Sequence, residues 1–128
     1  MSITVETATV QDVLDAVKAQ VDRAGADFVY QSHTDEATGI EYCLYVSDGK
    51  CDCIVGHVLH GWGVSIEALS EFDGYGHLSG DNAMFVGKKL GANPFVSTLL
   101  NLVQMNQDDG RTWGQCYEYA LYYVTERG

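Results

Sequence analysis

The chain has 128 residues, enough for one domain around one core, and its 46% hydrophobic content with two Trp, eight Tyr and four Phe excludes disordered and low-complexity classes. Eighteen acids against seven bases give a formal net charge of −11, and the pI is near 4.4. That sign disfavours a reader of phosphate backbones or a binder of anionic lipid surfaces.

Residues 1–13 carry neither a basic leader nor an apolar stretch, and no run approaches the ~20 apolar residues of a membrane span, so neither export nor insertion is expected. Thr9 with Asp12 reads as a capping box, and Val10, Val13, Leu14, Val17 and Val21 follow at helical spacing, predicting a helix over 10–24. Phe28–Tyr30 and Ile40–Val46 are rich in β-branched and aromatic residues and predict a hairpin with a loose connection. Ser47-Asp48-Gly49-Lys50 is a turn, after which Asp52 is placed to cap a short helix from Cys53 to about His60. Ser65 caps the next helix, with Val64 and Leu69 as a hydrophobic staple and Ile66, Leu69 and Phe72 as its buried stripe. Asn82 begins a brief helix through Leu90. Asn93-Pro94 starts another to about Asn106, with Phe95, Leu99, Leu102 and Val103 facing inward. Thr112 and Gln115 form a second capping box for a terminal helix whose inner positions are Trp113, Cys116, Tyr117, Ala120, Leu121 and Val124. The expected fold is one mainly helical α+β domain over residues 1–128, with about five helices and one small antiparallel hairpin.

Ligand-like chemistry gathers in 51–60. On a helix starting near Cys53, the residues Cys53, His57 and His60 fall within about 60° of one another, with Cys51 or Cys43 as a fourth donor, the mix of thiolate and imidazole that zinc prefers. The spacing matches no standard finger, and small buried thiols with a histidine at a helix end account for the same letters. A thiolate nucleophile at Cys53 is the related expectation, since a helix N-terminus lowers a thiol's pKa; no orienting or oxyanion signature accompanies it. All four cysteines are expected as free thiols.

Residues 74–81 hold three glycines with Tyr75 and His77 and match no phosphate-cradling fingerprint; they read as a surface connection or a partner-binding loop. Tyr117, Tyr119, Tyr122 and Tyr123 fall on more than one face of the terminal helix, so some rings lie outside the core stripe. Either the hairpin covers them, or Tyr119, Tyr122 and Tyr123 anchor a partner, with a homodimer as the simplest case. The acids are spread along the chain like a solvated face.

Tyr42-Cys43-Leu44-Tyr45-Val46 with the turn after it, Cys53-Ile-Val-Gly-His-Val-Leu59 and Gly63-Val64 resemble a group of small actinobacteriophage proteins whose recurring text is C-[IL]-V-G-x-[AV]-L-x-x-[LW]-G-V. The stretch Gln104 to Gly114, with Asp-Gly-Arg-Thr-Trp, is similar to the group's D-x-G-x-x-W-G signature, and the two stretches cover about half the chain. Trp62 stands where Leu is usual, and Lys50-Cys51-Asp52 where Pro or Ser is common. No activity is assigned to that group. The resemblance implies a viral product in an actinobacterial cytoplasm. The expected function is non-enzymatic binding of a host or phage protein, with neither nucleic acid nor membrane as partner and no cofactor. The alternatives are a small zinc-binding protein and a sponge for a nucleotide signal, the latter with Lys88, Lys89 and Arg111 as anion donors.

Overall fold

Thr9 and Asp12 close the capping box of α1 (Val10–Ala24), the hydroxyl taking the Asp12 N–H and the carboxylate taking the Thr9 N–H. Val13, Leu14, Val17 and Val21 fall on one side of this helix and are all buried. The computed structural model describes residues 3–73 and 82–127. After α1 the chain forms β1 (His33–Thr34), β2 (Glu41–Tyr42), β3 (Val46–Ser47) and β4 (Lys50–Cys51). Five helices follow: α2 (Ile54–Gly61), α3 (Ile66–Phe72), α4 (Ala83–Lys89), α5 (Pro94–Asp108) and α6 (Trp113–Arg127). The domain is a mainly helical α+β fold, with six helices among the described residues.

The β structure is two separate two-stranded antiparallel pairs, β1–β2 in register His33↔Tyr42 and β3–β4 in register Val46↔Cys51. The predicted pairing of Phe28–Tyr30 with Ile40–Val46 does not form. Val29 instead bridges Thr112, while the Phe28 and Ala26 carbonyls accept the Trp113 and Gly114 N–H groups at 2.8 and 3.0 Å. The first turn of a helix has four N–H groups without partners inside it, and this segment supplies acceptors to two of them in α6, beside the Thr112/Gln115 box. Gly114 permits the approach, because a Cβ there would lie 2.6 Å from the Ala26 oxygen.

α5 packs along α4 and α6, and α1 lies against α2, α5 and α6. The buried residues of α5 include Val96, Leu99, Leu100 and Val103, whereas Phe95, expected inside, is 75% exposed and Leu102 only partly covered. The inner face is rotated from the predicted one because Gln104 and Gln107 also point inward. Gln104 Oε1 accepts the Ala83 N–H at 2.8 Å and Gln107 Oε1 accepts the Ile54 N–H at 2.9 Å. Two glutamines one turn apart thus cap the first residues of α4 and α2. Asp73 does comparable work at the other side of the core, its carboxylate accepting the Tyr45 and Val46 N–H groups at 2.8 and 3.2 Å. The Val64–Leu69 staple is buried as expected, and Ile66 and Phe72 are partly so. In α6, Trp113, Cys116 and Ala120 are buried, Tyr117 and Val124 pack at the margin, and Leu121 is exposed.

Candidate functional site

Asp48 and Gly49 both have positive φ, 53° and 75°, the geometry of a tight two-residue hairpin turn. That turn folds β4 back on β3 and delivers Lys50, Cys51 and Asp52 beside the start of α2. Cys53, rather than Asp52, is the N-cap: its sulfur accepts the Gly56 N–H at 3.4 Å. Asp52 is engaged elsewhere. Its Oδ2 accepts the Tyr30 O–H and lies 2.8 Å from His33 Nε2. The Tyr30 hydroxyl accepts the Leu44 N–H at 3.3 Å, and Tyr42 stacks on His33 at 5.4 Å between ring centroids. Burial, then the bond to Asp52, pushes the Tyr30 pKa up, so the phenol stays a donor.

An open cleft of about 690 Å³ lies where the last turn of α1, the β3–β4 hairpin, α2 and the first residue of α6 meet. Arg23, Lys50, His57 and His60 line it together with Cys51 and Asp52; Phe28, Ile66 and Trp113 give it an apolar side. An Arg23 terminal nitrogen sits 3.3 Å from His57 Nε2. Burial first, and then the Arg23 charge, lower the His57 pKa, so the ring is neutral at pH 7 and accepts from the guanidinium through Nε2. His60 Nδ1 lies 2.9 Å from the Val64 carbonyl and closes the C-terminal end of α2. Trp113 meets Phe28 edge-on at 4.6 Å and His57 edge-on at 5.9 Å.

The expected trio of Cys53, His57 and His60 is not assembled. Cys53 is fully buried, whereas His57 and His60 border the cleft with partners of their own. Among the described residues no three His, Cys, Asp or Glu side chains are placed to hold a metal ion. Cys43, the candidate fourth donor, lies near the buried Cys53 thiol instead of the histidines, and the Gln104 and Gln107 amides reach its sulfur at 3.8 and 3.6 Å.

The lowered thiol pKa expected for Cys53 is also overturned. Burial and the neighbouring Cys43 push it well above its usual 9.0. A helix N-terminus contributes about 0.3–1 kcal/mol, which is small beside the penalty for ionising a fully buried thiol. Burial likewise pushes Cys116 up to about 12. Native labelling with a disulfide reagent at pH 8 is therefore expected to modify Cys51 and Cys43, which are partly accessible, while Cys53 and Cys116 react only on unfolding. The stability these two buried thiols contribute is fully present below the unfolded-state value near 9 and is lost as pH rises from there through their folded-state values. Rapid native labelling of Cys53 would contradict this assignment.

A second hollow, of about 320 Å³, runs along the outer side of α6 between Gln115, Glu118, Tyr119 and Tyr122. Tyr119 and Tyr122 are 47% and 65% exposed, and Tyr123 is half-buried against the core. Tyr75 and His77 lie outside the described residues. Lys88, Lys89 and Arg111 line neither hollow: Lys89 rests over Phe85, while Arg111 pairs with Asp109 at 3.0 Å and covers the Tyr119 ring. Arg23 and Lys50, the basic residues that do meet in a cleft, escape sequence reasoning because 27 positions of chain separate them and neither belongs to a motif. Comparison with family models, curated protein sequences and solved structures finds no match to this chain.

Proposed function

We propose that the chain is a non-enzymatic phage accessory protein that acts in the host cytoplasm by binding one basic host or phage protein. The observation that carries this reading is the second face of α6. Trp113, Cys116 and Ala120 bury one stripe of the helix, while Gln115, Glu118, Tyr119 and Tyr122 form another that is open to solvent. Exposed tyrosines on a rigid helix are efficient interface anchors, since they bring large contact area at small entropy cost. The acidic surplus sets the sign of the partner: a −11 chain attracts a basic surface and repels an acidic one.

The test is capture from an actinobacterial lysate by the immobilised wild-type chain and by a Tyr119→Ser/Tyr122→Ser double variant. Both positions are exposed, so each substitution is expected to change stability by only about 0.5 kcal/mol. The wild type should retain a basic protein at low salt, release most of it at high salt where charges are screened, and the double variant should retain at least tenfold less. Equal capture by both proteins, or capture indifferent to salt, rejects the reading. Self-association of the wild type in sedimentation, absent from the variant, reassigns the same face to a homodimer.

A further inference from the structure

We propose that the cleft between α1, the β3–β4 hairpin and α2 binds a small nucleoside phosphate, its phosphate held by Arg23 and Lys50 and its base laid on Phe28. The argument starts from charge. The chain carries more than twice as many acids as bases, yet the cleft gathers Arg23, Lys50, His57 and His60 around one carboxylate, Asp52. Asp52 is already committed, its Oδ2 shared by the Tyr30 hydroxyl and His33. Lys18 pairs with Asp22 and Arg111 with Asp109, but among the described residues neither Arg23 nor Lys50 forms an ion pair. Two cations without an ion-pair partner among the described residues, against one carboxylate, therefore face one hollow on an otherwise acidic protein. At physiological ionic strength, exposed charges beyond about 8 Å are largely screened, so the local sign governs an anion that has entered.

The neutral His57 ring adds a donor. Its Nε2 accepts from Arg23 and leaves the Nδ1–H to donate. A further donor belongs to the same wall: the Trp113 indole N–H is buried and has no acceptor among the described residues. Unpaired buried donors are uncommon in native structures, and here the donor belongs to a side chain that lines a cleft rich in other donors and short of acceptors. The size and the apolar side extend the ligand beyond a bare ion. At about 690 Å³ the hollow far exceeds a phosphate, and Phe28, an exposed residue whose ring is braced edge-on by Trp113, offers a flat face for a base.

The experiment is titration of the intact chain with adenosine monophosphate, inorganic phosphate and adenosine, followed by calorimetry and by the Trp113 indole and histidine ring resonances. Expected are saturable binding of adenosine monophosphate, at least fivefold weaker binding of phosphate and none of adenosine. Arg23→Gln and Lys50→Gln should each weaken the nucleotide roughly tenfold or more, as loss of a charged hydrogen bond does. Phe28→Leu should weaken the nucleotide several-fold and leave phosphate unchanged. Circular dichroism confirms that each variant is folded. No saturable binding of the nucleotide, equal binding of adenosine, or affinity unaffected by both Arg23→Gln and Lys50→Gln overturns the proposal. Phosphate binding as tightly as the nucleotide overturns the base-binding half of it.

Discussion

Gly56→Ala is expected to destabilise the fold by about 3 kcal/mol or more, lowering the thermal midpoint by roughly 10 °C. Helix propensity alone predicts the opposite sign, a gain of about 1 kcal/mol for replacing Gly inside a helix. Packing decides against it. A Cβ at residue 56 would lie 2.4 Å from the Tyr45 carbonyl oxygen and 3.2 Å from its carbonyl carbon. Tyr45 cannot retreat cheaply: its N–H is held by Asp73, its carbonyl accepts the Asp52 N–H, and its side chain is buried. Separating α2 from residue 45 would also pull on the Gln107 bond to Ile54. At Gly61, the other end of α2, a Cβ would meet nothing within 4 Å, so Gly61→Ala should be neutral or stabilising by up to about 1 kcal/mol. Thermal unfolding of the two variants side by side checks the argument, and a Gly56→Ala protein as stable as wild type would show that the close approach is not obligatory.

Gln107→Ala should cost about 3 kcal/mol, and Gln107→Leu about half as much. Gln107 is 1% exposed and holds the Ile54 N–H at the start of α2. Truncation to Ala leaves both a cavity and an unpaired buried donor, each of order 1–3 kcal/mol. Leucine refills most of the volume but accepts no hydrogen bond, so its residual cost isolates the orphaned N–H. Urea denaturation separates the two contributions, and identical midpoints for the Ala and Leu variants would assign the whole effect to the hydrogen bond. Gln104 does the same for Ala83 one turn away and shares the Cys43 sulfur with Gln107. A double variant is therefore expected to be non-additive.

The six helices were largely legible in the sequence, because their signals are local. Thr9/Asp12, Ser65, Asn82, Asn93-Pro94 and Thr112/Gln115 each act within their own first turn, and all are found capping in the fold. The turn at Asp48-Gly49 was equally legible, for the same reason. Strand pairing was not, since Phe28–Tyr30 has the composition of a strand but the segment's pairing serves α6, which starts more than 80 residues later. The Cys53–His57–His60 stripe failed for a related cause. Periodicity places residues on a common arc, but a cap residue lies before the helix proper, and Cys53 turns into the core against Cys43.

Local signals along the chain thus settled where α1 and α3 to α6 begin, the sign of the net charge and the apolar stripe of α1. The tertiary structure alone decided which polar groups are spent inside the fold and which stay free. Gln104, Gln107 and Asp73 are consumed as buried acceptors for backbone N–H groups of other elements, and Asp52 by Tyr30 and His33. Among the described residues, Arg23 and Lys50 are left without an ion pair at one cleft. The physical reason is that capping and periodicity are settled within a few residues, whereas satisfying a buried donor or neutralising a charge depends on groups that only the folded chain brings within about 3 Å.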